Sequence, residues 1–213
     1  MRTEIAKLKK EEIIWLIEHS CKHRHSYLEH FSCYPNRAEK KILYIDIEIS
    51  PSLGFVYGKY DQNVIKFKKE WEIMCVGYKW STGKVEVVSG KERHIVKKIR
   101  DLLDEADLVI GQNLDRFDIR KINTRIAFFG LKPPSKYKTL DTLKKLRRLF
   151  GLNSNSLNDA GEYFGLGVKK GSYKDLWEDC LKGDKKAWQK MRSYNAQDVL
   201  LLEKLYKKIE PWL

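Results

Sequence analysis

The run Lys41-Ile42-Leu43-Tyr44-Ile45-Asp46-Ile47-Glu48-Ile49, stopped by Ser50-Pro51, reads as a β-strand that carries two acids among aliphatic neighbours. Side chains alternate faces along a strand, so Asp46 and Glu48 share one face and Ile45, Ile47 and Ile49 the other. A half-exposed strand would show the same alternation. This run is apolar enough, with Ile42 and Leu43 added, to look central in a sheet. Acids on a central strand cost free energy unless they are paired or bound to metal. The strand therefore predicts a cation site on one of its faces.

Downstream, Trp71 to Trp80 and Lys84 to Val88 make a hairpin about Ser81-Thr82-Gly83. Residues 91–106 have Ile95, Ile99, Leu102 and Leu103 at helical spacing, and Leu108-Val109-Ile110 is a short buried strand. A helix over 115–129 ends at Gly130 and Pro133-Pro134, and Tyr137 to Leu140 reads as a further strand. Helical pieces follow near 141–149, 156–164 and 173–180, then a long helix over about 185–208. Strands first, then strand–helix alternation and a helical end predict an α/β domain over 41–213, a mixed sheet flanked by helices. Residues 1–40 are expected to form a separate helical extension, with Ile5, Leu8, Ile13, Leu16 and Ile17 near helical spacing.

The chain has 213 residues, 42 Lys and Arg against 29 Asp and Glu, and a formal net charge of +13. Residues 1–40 carry eight basic and six acidic side chains, which leaves +11 on the other 173 residues. At 42% hydrophobic and 12% aromatic the chain is too apolar for disorder. No apolar run approaches the roughly 18 residues of a membrane span. The acids within the N-terminal periodicity are not expected of a signal peptide, and four cysteines do not make a disulfide scaffold. The expectation is a cytoplasmic protein, away from membranes, with a polyanionic partner.

Two more acidic elements accompany the first strand. In Gly111-Gln112-Asn113-Leu114-Asp115-Arg116-Phe117-Asp118, Gly111 ends a strand and Asn113 closes the turn. Asp115 is expected as the helix cap and Phe117 as the helix anchor, with Asp118 in the first turn. In Tyr194-Asn195-Ala196-Gln197-Asp198, Tyr194 and Asp198 share one face of the last helix. Four carboxylates, two from a strand and one from each of two helices, can bind two magnesium-class ions. Ions roughly 3.5–4 Å apart activate water and stabilise the leaving oxygen of a phosphodiester. A tyrosine one helical turn away can orient that water.

The D-x-E strand, the N-x-x-x-F-D segment and the late Y-x-x-x-D helix, in this order over residues 41–213, resemble the DEDD, or DnaQ-like, 3′–5′ exonuclease superfamily. The resemblance implies a ribonuclease H-like fold with Asp46, Glu48, Asp118 and Asp198 holding two Mg²⁺ or Mn²⁺ ions. It also implies that Tyr194 positions the nucleophilic water, as in the tyrosine subtype, since no histidine follows His94. Two positions depart from the usual pattern: Ile49 stands where Thr is common, and Gln112 where His is common. The implied substrates are single-stranded or frayed DNA or RNA 3′ ends, cleaved to nucleoside 5′-monophosphates, with replication or repair proteins as partners. An RNA exonuclease, a structure-specific endonuclease and a zinc-containing binding module with a vestigial site remain alternatives.

Cys21, His23, His25, His30 and Cys33 crowd thirteen residues of the extension, and four of them can make a tetrahedral zinc site. Burial of these side chains by packing, or a metal-free DNA-contacting arm, accounts for them equally. Lys136, Lys138, Lys144, Lys145, Arg147 and Arg148 cluster between Leu140, Leu143 and Leu146, so the cations face outward together. With Asn113 they are the candidate nucleic-acid contacts, since a four-carboxylate site needs compensating cations to admit phosphate. Lys169, Lys170, Lys174, Lys185 and Lys186 extend the run. Trp71, Trp80, Trp177, Trp188 and Phe55 are aromatic stacking candidates, with packing the simpler role.

Overall fold

A computed structural model describes residues 40–60, 63–167 and 175–213. The expected N-terminal helical extension with its Cys/His segment, and Lys169, Lys170 and Lys174, lie outside the described residues. Among the described residues, strands β1 (Ile42–Ile49), β4 (Ile73–Trp80), β5 (Glu86–Ser89), β6 (Leu108–Gly111) and β7 (Lys138–Asp141) form one sheet in the order β5-β4-β1-β6-β7. The β5–β4 and β4–β1 pairs are antiparallel, and the β1–β6 and β6–β7 pairs are parallel. The sheet is mixed, as expected, and β1 lies at its centre.

Alternation along β1 sorts the two layers. Leu43, Ile45 and Ile47 face helices α1 (Glu92–Glu105) and α2 (Asp118–Phe128), in a core with Ile95, Ile99, Leu103 and Ile122. On the other face Tyr44 packs with Val199, Leu202 and Tyr206 of the long helix α6 (Lys185–Ile209), which also lies over Asp46 and Glu48. Helices α3 (Thr142–Leu149) and α4 (Leu157–Tyr163) pack on α6 through Leu146, Ala160, Leu205 and Ile209. The short α5 (Leu176–Leu181) brings Leu176 and Cys180 against Met191 and the β4 residue Cys75. Cys75 and Cys180 are free, buried core residues.

Close approach of α6 to the sheet depends on Gly77 of β4. A Cβ there would sit 2.7 Å from Asn195 Oδ1 and 3.0 Å from Val199 Cγ2. Two expectations fail at α2, which begins at Asp118 rather than at 115. Its cap position is Phe117, with no side-chain cap, so Asp115 is not the N-cap. Asp115 instead accepts a hydrogen bond from Lys144 Nζ at 2.7 Å. Phe117 is 36% exposed and lies outside the buried core. Between β1 and β4 lies a two-stranded ribbon that periodicity did not reveal: β2 (Leu53–Phe55) paired antiparallel with β3 (Lys66–Lys69).

Candidate metal centre

Three of the four predicted acids meet over the centre of the sheet. Oxygens of Asp46, Glu48 and Asp198 lie within 4.8 Å of one another. Strand alternation supplies the first two from one face of β1, and α6 lowers Asp198, which is 4% exposed, onto them. The β1–β4 register slips between Glu48 and Ile49, a bulge beside the acids. Such bulges commonly aim side chains at active sites.

Asp118 is not part of that group. The β1–β6 pairing ends at Tyr44 and Ile110, so the edge of β1 beyond it loses its strand partner. Asp118, at the start of α2, takes over: its Oδ1 accepts the Ile47 N–H at 3.2 Å, between the two β1 acids. Burial pushes its carboxyl up to about 7, with the charge of Asp141 adding to the effect. The negative potential of the centre also reaches Cys75, whose thiol is raised first by burial and then by Glu48 and Asp46.

Two positioning residues escaped the sequence reading. Asn195 is fully buried and donates its Nδ2 to Asp46 Oδ2 at 2.6 Å and to the Asp46 carbonyl at 3.2 Å. Its Oδ1 accepts from Cys75 Sγ at 3.7 Å, so the amide is fixed in orientation. Asn195 precedes Asp198 by three positions on the buried face of α6, and a polar residue on that face was the available clue. Asp141 is the other. It caps α3 and accepts from the backbone N–H groups of Asn113, Asp115, Leu143 and Lys144 at 3.0–3.4 Å. One carboxylate thereby holds the loop that delivers Asp118. An acid placed just ahead of a helical leucine pattern is an N-cap motif.

The same loop explains its own residue types. Leu114 folds back over Gly111, where a Cβ would lie 2.8 Å from Leu114 Cδ1. Asn113 takes φ 57°, a left-handed conformation that Asn tolerates better than most residues. Gln112 donates to the Asn155 carbonyl at 2.7 Å and accepts from Thr142 Oγ1, tying the loop to α3 and the segment before α4. Tyr194 lies edge-on to Trp177, with ring centroids 6.0 Å apart, so Trp177 braces the tyrosine. Trp71, Trp80, Trp177 and Trp188 are partly buried against the core, whereas Phe55 is 57% exposed. Of the basic candidates, Lys136, Lys138, Lys144, Arg147 and Arg148 are exposed, and Lys145 is half-buried.

Three converging carboxylates suit a hard divalent cation, which takes oxygen ligands and offsets their mutual repulsion. The donor set thus fits magnesium-class ions. No helix among the described residues is long and apolar enough to cross a membrane.

No curated protein matches the chain in sequence. Among solved structures, the family B DNA polymerase of the hyperthermophilic archaeon Pyrobaculum calidifontis is similar in fold, with a TM-score of 0.61 and 18% identity. The match covers 81% of this chain but 25% of the polymerase chain. The family model of the RNase H superfamily matches residues 43–210, which takes in all of the sheet but Ile42, together with α6 and all four acids. The chain belongs to the RNase H superfamily.

Proposed function

We propose that the chain is a divalent-metal-dependent 3′–5′ exonuclease of the tyrosine-subtype DEDD kind, acting on single-stranded or frayed DNA ends and releasing nucleoside 5′-monophosphates. The observation that carries the reading is the group of Asp46, Glu48 and Asp198 within 4.8 Å. Membership of a superfamily of nucleases agrees with it. In this reading Asp118 completes the ligand set from the buried edge of β1 beyond its pairing with β6. When bound, the divalent ions supply a Lewis-acidic centre that makes water nucleophilic at neutral pH and stabilises the leaving 3′ oxygen.

The protein's own groups do the rest. Asn195 holds Asp46 in one orientation through two hydrogen bonds. The Tyr194 hydroxyl, on a ring braced by Trp177, aims the attacking water. Asn113 and the cations from Lys136 to Arg148 receive the phosphate backbone, which the acids alone would repel. Zinc binding by Cys21, His23, His25, His30 and Cys33 is a separate proposal from sequence, checked by metal analysis of the purified protein.

The test is a magnesium- and manganese-titrated digest of DNA and RNA strands with free 3′ ends, blocked 3′ ends, or no ends. Free DNA ends are expected to be shortened while blocked and circular strands stay intact. Cutting of circles would assign an endonuclease, preference for RNA would change the substrate, and binding without turnover would mark a vestigial site.

A further inference from the structure

The β2–β3 ribbon is exposed on both faces: every residue of Leu53–Phe55 and Lys66–Lys69 is exposed. An isolated two-stranded sheet is marginal in water, and a solvated one normally keeps its apolar side chains covered. Here Phe55 is 57% exposed, Phe67 47%, and the intervening Tyr57 and Tyr60 are 90% and 89% exposed. The rings are interleaved with Lys59, Lys66, Lys68 and Lys69. They also occupy both sides of the ribbon. Gly54 pairs with Phe67, and a Cβ on Gly54 would meet Val64 Cγ1 at 2.4 Å and Phe67 Cδ1 at 3.4 Å, so those side chains lie across that face. Phe55 and Lys66, one position along, belong to the other face.

The ribbon is anchored at the metal centre. Ser50, 2% exposed and two residues beyond Glu48, donates its N–H to the Glu72 carbonyl at 2.9 Å and accepts the Glu72 N–H on its Oγ at 2.9 Å. That clamp closes both ends of the insertion where β1 leaves the sheet and β4 enters it. From its base the aromatic and basic groups continue toward Asp118. Lys121 Nζ sits 3.7 Å from the Trp71 ring centroid and 6.0 Å from that of Phe117, the exposed ring preceding Asp118.

We propose that this ribbon is a stacking platform for single-stranded nucleic acid, leading an unpaired strand to the acid cluster. The inference rests on the nuclease reading and adds the substrate surface to it. Unpaired bases present flat apolar faces that stack on Phe and Tyr rings, and the phosphates between them meet the lysines. A second copy of the chain is a poorer occupant, because the ribbon lysines would meet one another on two molecules that each carry +13. A duplex hides its base faces and gains only the charge.

The experiment uses the full chain and three forms: wild type, Tyr57→Ala/Tyr60→Ala, and Tyr57→Phe/Tyr60→Phe. Both tyrosines project into solvent, so their removal leaves the core intact. Binding of labelled oligothymidylate of about 12 nucleotides is read by fluorescence anisotropy in EDTA, where no hydrolysis occurs. Loss of base stacking weakens binding by about fivefold or more per ring. The alanine pair is therefore expected to bind at least about 25-fold more weakly than wild type, with the phenylalanine pair restoring affinity. Equal affinity of the alanine pair and wild type would overturn the platform, as would a loss that phenylalanine does not restore. So would a wild-type dimer in sedimentation that the alanine pair abolishes. Hydrolysis is measured separately in Mg²⁺. Wild type that cleaves while the alanine pair binds normally refutes the platform alone. Wild type that binds through the tyrosines yet never cleaves refutes the nuclease and supports a binding role for the ribbon.

Discussion

Replacing Asp118 with Asn removes a charge from a site that is 4% exposed while keeping an oxygen that can accept the Ile47 N–H. Burial raises this carboxyl from 3.8 to about 7, a change of about three units. Each unit corresponds to 1.36 kcal/mol, so ionising Asp118 in the fold costs on the order of 4 kcal/mol relative to the unfolded chain. The sign follows from the two protonation equilibria. Below about pH 4 the group is protonated in both states and contributes its full stability. Between pH 4 and 7 the unfolded chain releases the proton while the fold retains it, so stability falls as pH rises, then levels off above about 7. The amide of the D118N variant carries no charge at any pH. In EDTA the D118N protein is therefore expected to exceed wild type by up to about 4 kcal/mol at pH 8, with the difference vanishing near pH 4. Urea titrations of both proteins across this range measure it directly. A pH-independent difference, or a variant less stable than wild type at pH 8, would refute the reasoning about the buried carboxylate. The same variant should lose metal-dependent hydrolysis if Asp118 is a ligand, so the stability gain and the activity loss arrive together.

Asn195→Ala removes both hydrogen bonds to Asp46 and leaves its carboxylate without the amide; a loss of about 1–3 kcal/mol in urea titration and a higher half-saturating metal concentration are expected. Retained metal affinity in this variant would show that Asn195 does not orient the site. Gly77→Ala places a methyl group 2.7 Å from Asn195 Oδ1 and forces α6 outward; about 1–3 kcal/mol of destabilisation is expected, with metal-dependent activity falling further than stability alone accounts for. Wild-type activity in that variant would mean that α6 can sit farther from β4 without disturbing Asp198.

The alternation of β1 was enough to put Asp46 and Glu48 on one face of a central strand, because period two leaves no freedom once the aliphatic face is assigned to the core. Helical periodicity likewise placed Asp198 and Tyr194 on α6. Residues whose role is a single long-range contact were harder to see. Asn195 acts on a residue 149 positions away, and Asp141 on a loop 28 positions away, so neither leaves a local pattern beyond a polar residue on a helix face and a cap. Asp115 has good capping chemistry in the sequence, but its tertiary pairing with Lys144 withdraws it, and the helix starts at Asp118 instead. The β2–β3 ribbon was invisible to hydrophobic patterning for a physical reason: it has no buried face, and periodicity reports burial.

The central claim, that the carboxylates joining β1 to α6 form a metal-dependent hydrolytic centre, is tested most directly by titrating Mg²⁺ and Mn²⁺ into a digest of a 5′-labelled single strand. Wild type is compared with Asp46→Asn and Asp198→Asn. The expected result is saturable, metal-dependent shortening from the 3′ end by wild type, abolished by EDTA and by either substitution. Undiminished shortening by either variant would contradict it.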